Sequence, residues 1–263
     1  MTDTGTTDAG KTDAGTTDAG KTDAGTTDAM VREMVHRRQR RRRTTVVSLV
    51  AVVVVAAAAL VGAGLVRATN TAPDKVPSRV PAGVAADKSG VAASTGAVRV
   101  DVYLDYLCPE CRRTERALNS ALGSLRSRGG VSVVYHPVAF LDDRSAPAGY
   151  STRAASAAAC AADAGRFEQY STVLFAKQPA EQGPGLSEAQ LIAAGKEAGI
   201  TRDSFARCVE DARFRPWVQY VSDVAASRKV ALTPTVTVDG RRVDVTGSDP
   251  GAALTREVTE TRR

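Results

Sequence analysis

Residues 105–113 read DYLCPECRR, two cysteines separated by two residues with a proline directly after the first. Upstream, VRVDVYL (98–104) alternates as a strand does and sets Val98, Val100, Val102 and Leu104 on one face. Downstream, RRTERALNSALGSLRSRG carries a helical pattern that ends near Gly129 and Gly130. Cys108 thus falls at a strand-to-helix junction, where Pro109 suits the first helical turn because its missing N–H is not needed there. Free backbone N–H groups and aligned peptide dipoles at a helix start favour an anion. For Cys108 that anion is a thiolate, the nucleophile and the better leaving group in disulfide exchange. Cys111 lies one turn further on, placed to close a small disulfide ring. So short a ring constrains the unfolded chain little, which makes it a poor structural staple.

The remaining cysteines are Cys160 and Cys208. A zinc site at the first pair would need two more ligands, yet there is no second CxxC and His136 is the sole histidine after Arg67. No metal and no cofactor are expected. His136 sits late in VSVVYHPVAFL (131–141), a strand and its exit, where it reads as a packing or hydrogen-bonding group. Cys160 lies in TRAASAAACAADAG and Cys208 in ITRDSFARCVEDAR, both helical in pattern. A bridge between them would close a long loop and stabilise by about 4 kcal/mol. We read it as structural; two buried free thiols, or an auxiliary redox pair, are the alternatives.

More than a hundred residues after the first pair comes ALTPTVTVDG (231–240). Thr235 to Val238 reads as a short strand, and Asp239-Gly240 is a hairpin turn signal before RRVDV. A proline directly before a strand is sterically acceptable. Further helices are expected over 148–165, 167–176 and 187–199, the last opened by a Ser187/Gln190 capping box. Two more follow, broken near Pro216, and a closing helix is capped by Asp249. Tyr103, Tyr106 and Trp217 suit core packing better than a peptide groove.

The rest of the chain divides by composition. All aromatic residues lie beyond position 100, which says where a packed core can form. Residues 1–43 begin with a small, polar repeat on a near ten-residue period that cannot repay the entropy of ordering. They end in HRRQRRRR (36–43). Next comes an uncharged stretch, 44–66, of which Val46 to Val66 is long enough to cross a bilayer as a helix. The expectation is a single uncleaved transmembrane anchor, the arginines held in the cytoplasm and everything after Arg67 outside, with a cleaved signal peptide as the alternative. The basic run is then a topology determinant that touches anionic lipid, not a nucleic-acid site. A net charge of +6 does not by itself imply a nucleic-acid partner. Residues 67–96, with three prolines and scattered charges, read as a flexible linker, and 97–263 as the folded domain. An exported domain with an even number of cysteines suits disulfide chemistry.

The chain from about Val98 to Arg262 resembles the DsbA-like branch of the thioredoxin superfamily, in its membrane-anchored actinobacterial form. The motifs that carry the resemblance are DYLCPEC (105–111), ALTPTVTVDG (231–240) and the helical stretch between them. It implies an α/β fold of thioredoxin type, a central mixed sheet with a helical subdomain inserted at about 145–228. By the same resemblance Cys108 is the attacking, substrate-linked sulfur and Cys111 the resolving one. Thr233 and Pro234 match the loop whose proline is cis in the family and whose backbone pairs with extended substrate. Asp105 matches an acidic residue common three positions before the first cysteine.

Two departures stand out. Many relatives carry a buried glutamate six positions before the first cysteine; here that position is Val102, so proton handling would fall to Asp101, Asp105, water or Glu110. Strong oxidants of the family often have Pro-His between the cysteines; here it is Pro109-Glu110, and a carboxylate near Cys108 would oppose a second negative charge. The function implied is extracytoplasmic thiol–disulfide exchange, introducing disulfides into exported proteins. Recycling would come from a membrane partner of the DsbB or vitamin-K-epoxide-reductase type. A reductase or isomerase at the same face, or an anchored binding module without turnover, are the alternatives.

Overall fold

The computed structural model describes residues 75–263; the repeat tail, the basic run, the anchor at 44–66 and the start of the linker lie outside the described residues. Among the described residues no helix is long and apolar enough to cross a membrane.

The sheet has five strands in the order β1-β3-β2-β4-β5. They are β1 (Val91–Ala92), β2 (Val98–Leu104), β3 (Val131–Pro137), β4 (Thr235–Val238) and β5 (Arg241–Val243). Helix α1 (Pro109–Ser127) connects β2 to β3, which pair in parallel from Val98↔Val131 to Leu104↔Pro137. Parallel neighbours need such a crossover, because a tight turn cannot reverse the chain and return it in the same direction. On its other side β2 pairs antiparallel with β4, in a register that sets Tyr103 against Thr235. Val236 of β4 faces Val243 of β5 across the hairpin. Asp239 and Gly240 at its turn both take positive φ, as the Asp-Gly signal predicts.

Covered on both faces, β2 buries consecutive residues where a surface strand would alternate: Val100, Asp101, Val102, Tyr103 and Leu104 are all buried. Helix α1 turns Cys111, Thr114, Leu118, Leu122 and Leu125 inward, the spacing that puts one helical stripe against a sheet. Between β3 and β4 the chain runs through α2 (Tyr150–Asp163), α3 (Phe167–Ala176), α4 (Glu188–Glu197), α5 (Asp203–Glu210) and α6 (Arg215–Ser227). The Ser187–Gln190 capping box is formed in both directions, and Pro216 stands in the first turn of α6. Within α4, Gly195 lies so close to Phe205 that a Cβ would collide with the ring. A mid-helix glycine that costs about 1 kcal/mol against alanine is thereby explained by the approach of α5. The last helix, α7 (Pro250–Thr261), is capped by the Asp249 side chain, which accepts from the Ala252 N–H at 2.8 Å, and packs on α1. Tyr106 and Trp217 are fully buried and Tyr103 nearly so, which places all three in the core.

The linker ends earlier than composition suggests. Val91 and Ala92 pair with Tyr135 and Val134 of β3, and Val84 bridges Val91. The Trp217 indole N–H donates to the Lys88 carbonyl at 2.8 Å, and the Tyr220 hydroxyl to that of Asp87 at 3.0 Å. Residues 84–92 are therefore docked into the domain. Two-residue strands carry no readable period, and their partners lie 40 or more positions away, so only the assembled sheet edge reveals them.

Candidate active site

The site forms where β2 runs out. The Asp105 carboxylate accepts from the Leu107 N–H at 2.9 Å, and the Cys108 N–H donates to the Asp105 carbonyl at 3.1 Å. This tight turn delivers Cys108 to the N-cap of α1, with Pro109 in the first turn. The Cys108 sulfur accepts from the Cys111 backbone N–H at 3.4 Å, in the way a serine or aspartate caps a helix. Because β4 begins opposite Tyr103, the residues before it are carried alongside the end of β2. The Thr233–Pro234 bond is cis, and the Cys108 thiol donates to the Thr233 carbonyl at 3.3 Å across 125 positions of sequence. Both thiols are free; Cys108 is 6% exposed and Cys111 2%.

The two sulfurs differ in acidity. The Cys111 thiol, then the Thr233 hydroxyl and the backbone N–H groups of Cys111 and Glu110, favour the Cys108 thiolate over the opposing effect of burial. Together they bring it from its ordinary 9.0 to about 7. Burial, and then the neighbouring Cys108, push Cys111 well above its ordinary value. The Asp105 backbone N–H reaches the Cys111 sulfur at 3.5 Å. One sulfur is poised as an anion and the other as a thiol.

The residues expected to tune the pair are placed very differently. Asp105 is fully buried beneath the turn, where the Ser151 hydroxyl at 2.7 Å and the Leu141 N–H at 3.0 Å also donate to it. Burial outweighs those donors and pushes its carboxyl up to about 6. Asp101 is not brought to the sulfurs. Strand alternation sends it to the opposite face, where it takes the Arg99 guanidinium at 2.8 Å and His136 Nε2 at 2.7 Å. Burial would raise Asp101, but His136 and Arg99 outweigh it and hold the carboxyl below its usual range. His136 itself is buried, stacked on Tyr103, with Nδ1 on the Ser89 carbonyl at 2.7 Å.

Glu110 also departs from expectation. Its carboxylate is exposed and held by Arg113 at 2.8 Å, while its backbone N–H faces the sulfur. Solvent and the guanidinium screen the charge, which leaves the Glu110 carboxylate little hold on Cys108. Cys160 and Cys208 are joined in a disulfide between α2 and α5, with 5.9 Å between their Cα atoms.

Three features were not legible from sequence. Gln178, after α3, donates through Nε2 to the carbonyls of Tyr106 at 3.0 Å and Cys108 at 2.9 Å, which fixes the loop that carries Cys108. Leu232, just before the cis-proline turn, is 70% exposed, a large apolar side chain left in water beside the site. A small cleft of about 50 Å³ runs under Cys111 between α1, α3 and the sheet, bounded by Val102, Thr114 and Pro234. The Thr114 hydroxyl is buried there without a hydrogen-bond partner among the described residues. A glutamine in a loop, a leucine before a proline and a helical threonine carry no local signal.

A thioredoxin family model matches residues 92–254. Among solved structures, the reduced disulfide bond oxidoreductase DsbG from Mycobacterium tuberculosis is 36% identical, with a TM-score of 0.54 over 62% of this chain and 77% of that one. Oxidised Mtb DsbA is 35% identical, with a TM-score of 0.54 over 64% of this chain and 84% of that one. MdbA from Actinomyces oris, a thiol-disulfide oxidoreductase, shares the fold at 19% identity, with a TM-score of 0.58 over 73% of this chain and 97% of that one. The curated serine/threonine-protein kinase PknE of M. tuberculosis is 31% identical over 96 residues, 35% of this chain and 17% of the kinase. The match thus spans about a sixth of the curated relatives' length.

Proposed function

The chain belongs to the thioredoxin family, in its DsbA-like thiol–disulfide oxidoreductase branch, and on that premise we propose that Cys108 and Cys111 introduce disulfide bonds into exported proteins. The observation that carries this reading is the asymmetry of the pair: one sulfur at a helix start with its pKa down to about 7, its partner buried and pushed up. In the oxidised enzyme a client thiolate attacks Cys108 Sγ, the Cys108–Cys111 bond breaks, and Cys111 leaves as a thiolate that takes up a proton. A second client thiolate then attacks the client sulfur of the mixed disulfide and expels Cys108 as its stabilised thiolate. Two electrons pass from client to enzyme, and the client gains one disulfide. The Thr233 carbonyl, 3.3 Å from Cys108 Sγ, is a backbone acceptor beside which an extended client can lie.

The domain acts outside the cytoplasm, held to the membrane by 44–66 and recycled there by a quinone-linked oxidoreductase of the DsbB or vitamin-K-epoxide-reductase type. Support comes from the Cys160–Cys208 disulfide, which suits an oxidising compartment, and from the basic run before the apolar stretch. The direct test is oxidation of a reduced dithiol peptide by the full-length protein in detergent, beside Cys108→Ala. Stoichiometric peptide oxidation by wild type alone is expected; equal behaviour of the two proteins ends the enzymatic reading. Membrane-impermeant thiol labelling of intact cells tests the location separately, and protection of Cys108 until lysis would reverse the assigned topology.

A further inference from the structure

Helix α1 carries more than the redox pair. Arg112 and Arg116 follow Cys108 at intervals of four, so the three positions run along one side of the helix. With a rise of about 1.5 Å per residue, the arginines stand about 6 and about 12 Å down the axis from the nucleophile. They form one wall of an open groove that begins at Pro109. Gln178 and Pro179 form the facing wall. That wall is tied to the nucleophile, since Gln178 holds the Cys108 carbonyl. Arg113 also lines the groove, but its charge is matched by Glu110 at 2.8 Å. Arg112 and Arg116 have no carboxylate within ion-pair distance among the described residues.

We propose that this groove selects client segments with aspartate or glutamate two to four residues from the reacting cysteine, held by Arg112 and Arg116. The spacing follows from the geometry: an extended client advances about 3.3 Å per residue, so two residues reach Arg112 and four reach Arg116. Guanidinium groups suit the task because their planar forks meet carboxylates in bidentate fashion. A cationic wall beside the nucleophile also raises the local concentration of acidic clients and speeds encounter. The inference deepens the oxidoreductase reading and rests on it.

The test uses the full-length oxidised protein and three dithiol peptides that differ only at the flanking positions, which are Asp, Ser or Lys. The readout is the ratio of kcat/KM among peptides on one protein, so a general loss of activity cannot mimic the effect. The expected preference for the Asp over the Lys peptide is about tenfold at low ionic strength. It should fall toward parity near 1 M salt, where screening acts within about 3 Å. In the Arg112→Glu/Arg116→Glu double variant the ratio should invert, and in Arg112→Gln/Arg116→Gln it should approach one. Equal rates on all three peptides with wild type, or a preference that survives both variants, overturns the groove assignment and leaves disulfide exchange standing. Failure to oxidise any peptide removes both.

Discussion

The two cysteine pairs sit in one domain and meet opposite treatment. Cys160 and Cys208, 48 positions apart, join helices α2 and α5 and are buried among alanines and aromatics. Cys108 and Cys111, three apart, occupy a helix start where backbone N–H groups and a distant loop converge on one sulfur. The long loop closed by Cys160–Cys208 stabilises by restricting the unfolded chain. The short ring has almost no such effect, so its chemistry is set by which redox form the surroundings favour. Sulfur is the same in both places; chain separation and nearby dipoles decide whether it fastens or reacts.

That contrast can be broken most directly by removing each pair. Cys108→Ala should abolish peptide oxidation while the domain stays folded. Cys160→Ala/Cys208→Ala should retain turnover per folded molecule but lose about 4 kcal/mol of stability in urea unfolding. A folded double variant without turnover would make the second pair a relay and collapse the distinction.

A smaller effect is expected at the buried carboxyl beneath the turn. Asp105→Ala leaves the Leu107 and Leu141 N–H groups without their acceptor and should cost roughly 1–3 kcal/mol by thermal or chemical unfolding. Asp105 has its folded pKa raised from 3.8 to about 6, so its stabilising contribution is whole below 3.8 and is lost as pH rises through 6. The stability difference between wild type and Asp105→Asn should therefore fall across that window. A flat difference would mean the carboxyl does not titrate where its burial requires.

The Cys108 sulfur has the opposite sign. Its folded pKa is depressed from 9.0 to about 7, so in the reduced protein its contribution is whole above 9.0 and lost as pH falls through 7. Ultraviolet thiolate absorbance should show one transition near 7, absent in Cys108→Ser, with Cys111 silent until far higher pH. The least effect is expected from Glu110→Gln. With the carboxylate exposed and paired to Arg113, that transition should move by less than about half a unit. A larger shift would restore Glu110 as an electrostatic brake on the sulfur.

Reading the sequence found the elements whose cause is local. The strand before Cys108, the proline in the first turn of α1, the Ser187–Gln190 box and the Asp239-Gly240 turn each declare themselves within a few residues. Docking of residues 84–92 onto β3, the clamp by Gln178 and the exposure of Leu232 left no such mark. Asp101 shows the limit most clearly. It lies near the motif in sequence, yet strand alternation commits it to His136 and Arg99 on the far face.

By itself the sequence determined which sulfur would stand at a helix start, because capping, proline placement and hydrophobic period act over a few neighbouring residues. Only the tertiary structure decided what that sulfur meets. The antiparallel register of β2 with β4 carries Thr233 and Pro234 to Cys108, and the helical insertion supplies Gln178 from a third direction. Hydrogen-bond donors and burial act through space, over a few ångströms, whatever the separation along the chain.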